Sequence, residues 1–102
     1  AMERMAHFNV QGVANTAWAL AKVSYHNMPF FHRVATRALE TMPVWDPQAI
    51  ANLSWAYATI AFLHEPLMAA ISERAVCIIS EFTTQHLSNT IWAYATLRVE
   101  YD

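Results

Sequence analysis

The chain has 102 residues, 56% of them hydrophobic and only 14% charged, enough for one small domain with a modest core and an unusually apolar surface. Its formal net charge of −2 lacks the basic excess by which an isolated nucleic-acid-binding domain usually announces itself, and no apolar run approaches the ~20 residues of a membrane span. A single glycine against many Ala, Leu, Met and Trp residues favours helices over sheets, and no basic, apolar-core signal peptide opens the sequence.

In chain order, the same pattern returns every 37 residues: "QGVANTAWALAKV" from Gln11, "QAIANLSWAYATI" from Gln48 and "QHLSNTIWAYATL" from Gln85. Phe8, Trp45 and Phe82 share a register, as do Pro29 with Pro66, Arg37 with Arg74 and Ala38 with Ala75. A period of this length predicts an all-α protein, an α-solenoid of stacked helical hairpins. Residues 1–7 read as the end of a preceding unit, since "AMERM" aligns with "ALETM" at Ala38–Met42; units follow at 8–44 and 45–81, and 82–102 is the first helix of another. Neither end carries a polar capping unit, so further repeats or partner proteins are expected to cover both ends of what reads as part of a longer array.

Asn9, Asp46 and Thr83 fall in one register as N-caps, each opening a first helix, over about 10–23, 47–62 and 84–99. A break before Pro29 and Pro66 starts each second helix. Phe31, Val34, Ala38 and Met42 make an apolar stripe on one, and Met68, Ile71, Ala75 and Ile79 on the next. Cys77, in the run "AVCII", is expected to be a buried, inert thiol.

Gln11, Asn15, Trp18 and Lys22 lie along one face of the first helix; Gln48, Asn52 and Trp55, then Gln85, Asn89 and Trp92, repeat that face. Two readings stand beside each other. The rungs can bind a ligand, with Asn and Gln on base edges and Trp as a stacking plane, or they can be a structural ladder that fills the seam between units. Constancy favours the ladder, because residues identical in every unit cannot discriminate bases. Better RNA-binding candidates are positions that vary and are expected to be exposed: Gly12, Ala49 and His86, and Thr16, Leu53 and Thr90. Lys22, Arg37 and Arg74 are the candidate phosphate contacts. His26, His32, His64 and His86 look scattered and give no metal-site spacing; no nucleophile–base pair, Gly-rich phosphate loop or paired acids appear. A non-enzymatic chain without metal or cofactor is therefore expected.

The three copies resemble the octotricopeptide repeat and its relative the heptatricopeptide repeat, both helical-hairpin arrays with a Gln-x-x-[Ala/Ser]-Asn-x-x-Trp-Ala-x-Ala core. Such arrays are common in algae, dinoflagellates and apicomplexans. The resemblance implies single-stranded RNA binding in a chloroplast or mitochondrion, serving transcript maturation, stability, translation or ribosome assembly. The alternative is a scaffold subunit making protein–protein contacts in a large organellar assembly, which the acidic charge balance favours.

Overall fold

The computed structural model describes residues 9–23 and 26–98. The expected end of a preceding unit at 1–7, the register residue Phe8 and the last residues of the third first-helix lie outside them. Among the described residues the fold is all-α: α1 (Val10–Lys22), α2 (Met28–Thr41), α3 (Pro47–Thr59), α4 (Glu65–Cys77) and α5 (Thr84–Leu97), with 3-10 turns at Met42–Val44 and Ile79–Glu81.

Each helix starts where a local polar side chain takes up a free backbone N–H. Asn9 Oδ1 accepts from Gly12 N at 2.9 Å, and Asp46 Oδ1 from Ala49 N at 2.9 Å. Thr83 Oγ1 accepts from His86 N at 3.2 Å, and His86 Nδ1 accepts back from Thr83 N, closing a reciprocal box. Asn27 caps α2 through Phe30 N, and His64 Nδ1 caps α4 through Leu67 N. Helices α3 and α5 stop two or three residues earlier than the sequence pattern predicts. The cause is a left-handed residue in a shared register, Ala61 at φ 57° and Arg98 at φ 58°. After α3 the chain closes a Schellman turn, with Phe62 N donating to Tyr57 O at 2.9 Å and Ala61 N to Ala58 O at 3.0 Å.

The helices form two layers. Helices α1, α3 and α5 pack side by side in one, and α2 packs against α4 in the other. Small residues let the first layer close up: Ala14, Ala17 and Ala21 of α1, Ala49 and Ala56 of α3 and Ala93 of α5 are all fully buried. Between the layers lie Phe31, Trp45, Ile50, Leu53, Tyr57, Leu67, Met68 and Ile71, every one without exposure. Apolar area removed from water at these positions is the main stabilising contribution.

Two contacts repeat with the sequence. Tyr57 Oη donates to the Phe31 carbonyl, and Tyr94 Oη, 37 residues later, to the Met68 carbonyl. Helices α3 and α5 are thus each tied to the second-layer helix before them, while α1 carries Leu20 in that register. The stripe of α2 is buried throughout, but that of α4 is buried only at Met68 and Ile71; Ala75 is half-buried and Ile79 is 51% exposed. The difference is one of neighbours. Helix α4 covers α2, whereas no helix among the described residues covers α4 on the corresponding side.

Candidate functional site

Helix α3, between α1 and α5, is buried over most of its circumference, and Gln48, Asn52, Trp55 and Thr59 form the strip that is not. The strip runs sideways onto both neighbours. Asn52 Nδ2 donates to Asn15 Oδ1 at 3.0 Å across the α1–α3 seam, and Gln48 Nε2 donates to Asn52 Oδ1 at 3.1 Å. Across the α3–α5 seam His86 Nε2 lies 3.2 Å from Gln48 Oε1. Because His86 Nδ1 already accepts from backbone, its proton sits on Nε2 and is donated to Gln48. Gln85 Nε2 reaches Asn89 Oδ1 at 3.4 Å. The Gln and Asn side chains thus spend hydrogen-bonding capacity on one another.

The tryptophans run parallel to this polar row. Trp18 and Trp55 have ring centroids 5.6 Å apart, and Trp55 and Trp92 stack at 6.5 Å with 29° between planes. Trp18 and Trp55 are half-buried; Trp92, on α5, is 46% exposed. Lys22 holds its ammonium 4.7 Å above the Trp18 ring, within cation–π range.

The expectation that the variable positions are exposed needs correction. Gly12 and Thr16 are exposed on α1, and Thr16 Oγ1 donates to the Gly12 carbonyl at 2.8 Å. Ala49 and Leu53 have no exposure, Thr90 has 8%, and His86 is half-buried in its capping box. On α3 these two registers face the flanking helices, so they are packing positions there and present no edge to a base.

Arg37 and Arg74 sit in the other layer and do not line an open basic strip. Arg37 pairs with Glu40 at 3.0 Å. Arg74 donates from Nε to the Trp45 carbonyl at 2.9 Å, while the Trp45 indole, fully buried, donates to Thr41 Oγ1 at 3.0 Å. Arg74 therefore fastens α4 to the link between α2 and α3.

Two further expectations change. Cys77 is exposed, not buried: it ends α4, and of the run around it Ile78 alone turns into the core, leaving Val76 71% exposed. The histidines are not all scattered either. His32 and His64 approach to 5.8 Å, both packed edge-on against Phe62, a grouping hidden by their distance in sequence. Burial, and secondarily the charge of His32, lower the pKa of His64 below the usual imidazole value. Among the described residues no three His, Cys, Asp or Glu side chains gather in a metal-binding group, and no helix is long and apolar enough to cross a membrane.

What the molecule offers, then, is a polar and aromatic row on one layer, bonded within itself except at Gln11, whose buried Oε1 has no hydrogen-bond partner among the described residues, and exposed apolar side chains on α4 and α5. A family model described as RNA-editing substrate-binding complex 6 protein matches residues 1–102. The chain belongs to that family. No curated protein gives a significant match. Membership in the RNA-editing substrate-binding complex 6 family corrects the assignment to octotricopeptide or heptatricopeptide repeats. The Gln, Asn and Trp that carried the likeness are those that pair across the helix seams, a requirement of close helix stacking that does not by itself mark one family.

Proposed function

We propose that this chain is a segment of an α-solenoid with a 37-residue repeat, its units at 8–44, 45–81 and 82–102, that acts as a non-enzymatic scaffold. Its place is an RNA-editing substrate-binding complex, as the family description suggests, and we put that complex in the mitochondrion. It binds other proteins and needs no cofactor.

The observation that carries the reading is where charge and apolar surface lie. Among the described residues Arg37 and Arg74 are engaged within the fold and Lys22 lies on Trp18, and a net charge of −2 gives no basic excess to follow a phosphate backbone. Val76, Ile79, Ile91 and Trp92, on α4, the turn after it and α5, are 46–71% exposed, the kind of apolar side chains by which proteins dock.

Single-stranded RNA binding is the second reading, favoured by the exposed Trp92 ring continuing the tryptophan row and by Lys22 beside it. Titrating a labelled single-stranded RNA into the purified chain at two salt concentrations separates the two. The scaffold reading expects no saturable, salt-sensitive binding. Tight binding that weakens steeply with salt and is lost in Trp92→Ala returns the function to RNA.

A further inference from the structure

The second-layer helices α2 and α4 begin in one register, Pro29 matching Pro66, but with different caps. Asn27 Oδ1 accepts from Phe30 N at 3.0 Å, and 37 residues later His64 Nδ1 accepts from Leu67 N at 3.2 Å. An amide oxygen accepts at any pH, whereas the imidazole accepts only while Nδ1 carries no proton. A proton there sets one donor against another and puts a positive charge at the positive end of the α4 dipole. His32, on α2, is the titratable group that faces His64, their ring centroids 5.8 Å apart, and both rings pack on the uncharged Phe62. Glu65, next in the chain on α4, is exposed. Burial first, and His32 second, hold the His64 pKa below the usual imidazole value of about 6.5. The cap is therefore in place above that value and is lost as pH falls through the lowered one.

We propose that the start of α4 is an acid-released latch between the two layers: protonation of His64 frees the first turn of α4 and, through it, α5, while α1, α2 and α3 hold. The path runs through three neighbouring groups. Leu67 N is the capped donor, the Leu67 and Met68 side chains are fully buried, and the Met68 carbonyl accepts from Tyr94 Oη. Loosening this turn brings Leu67 and Met68 toward water and breaks the tie of α5 to the second layer. The matching tie of α3, Tyr57 to the Phe31 carbonyl, rests on a turn capped by Asn27, which does not titrate. Helix α1 is capped by the Asn9 amide and α3 by the Asp46 carboxylate, a class of group that ionises well below the imidazole range. His86 also accepts at Nδ1, from Thr83 N, with the uncharged Gln48 facing it from α3. Thr83 Oγ1 still caps α5 when that bond is lost. Among the described residues it is thus His64 whose proton reaches the core. The latch goes beyond the scaffold reading and holds whichever partner the chain binds.

Amide hydrogen exchange of the whole chain, read residue by residue by NMR at about pH 7.5 and about pH 5 and corrected for the intrinsic pH dependence of exchange, is the test. Protection at Leu67, Met68 and Ile71 should fall about 5-fold or more relative to that at Phe31, Val34 and Ala35, the size of effect that losing one N-cap produces. His64→Asn, which installs the cap α2 already uses, should abolish that difference. His32→Asn should move the His64 imidazole titration to higher pH, because it removes the facing positive charge. In the parent chain the Leu67 amide shift should follow the His64 titration. Equal losses of protection in α2 and α4, or a difference that persists in His64→Asn, would overturn the latch. So would a Leu67 amide that ignores the His64 titration, a result that needs no variant to fold.

Discussion

Replacing Trp55 with Ala should cost far more than replacing Trp92, although the two occupy the same register. Trp55 is half-buried between two rings, Trp18 at 5.6 Å and Trp92 at 6.5 Å, whereas Trp92 has, among the described residues, Trp55 alone as a ring neighbour and is 46% exposed. An indole with ~150 Å² removed from water contributes ~4 kcal/mol at ~25 cal/mol per Å², reduced to about 3 because a real unfolded chain already hides part of it. The two ring contacts add up to ~1 kcal/mol each, and alanine returns about 0.5 kcal/mol in helix propensity. The expected loss for Trp55→Ala is about 3–4 kcal/mol, and for Trp92→Ala about 1–2 kcal/mol. Urea denaturation followed by far-ultraviolet circular dichroism measures both. Equal losses, or less than ~1 kcal/mol for Trp55→Ala, would refute the claim that the tryptophan row stabilises the stack from its centre.

Arg74→Ala removes a charged donor from the Trp45 carbonyl and should destabilise the chain by about 1.5–3 kcal/mol in the same urea assay; no change would mean the clamp is idle. Ala61→Gly relieves a left-handed alanine and should stabilise by about 1 kcal/mol, read as a higher Tm, whereas a lower Tm would contradict the Schellman assignment. His64 has its pKa lowered in the fold, so its contribution is fully present above the unfolded value of about 6.5 and is lost as pH falls through the folded value. A His64→Asn chain keeps a capping side chain without the titration, and its stability below pH 6.5 should fall less steeply than the parent's; identical slopes would contradict this. Cys77 should react with iodoacetamide in the native chain at nearly the rate of the urea-unfolded one, and strong native protection would contradict its exposure.

The helices were legible because their starts are decided locally: Asn9, Asp46 and Thr83 each bond an N–H three residues on, and the 37-residue register points to all three at once. Helix ends were less so, because nothing about Ala61 or Arg98 advertises a left-handed backbone, a conformation usually left to glycine. Burial within the first layer depends on lateral neighbours that periodicity along one helix does not reveal. Ala49 and Leu53 vary between units, which looked like readout, but α3 has a helix on either side and its variable residues face them. The same gap hid the pairing of His32 with His64 and the use of Arg74 against a carbonyl 29 residues earlier. The family likeness misled because the Gln, Asn and Trp of the motif answer to packing across seams.

The central claim is that these helices are used as architecture. Ultraviolet crosslinking in cells followed by native purification of the protein, with and without nuclease, tests it most directly. The account predicts a set of protein partners that survives nuclease, with no RNA crosslinked to residues 9–98. A discrete RNA footprint on the Trp18–Trp55–Trp92 row, with partners lost on nuclease treatment, would contradict it.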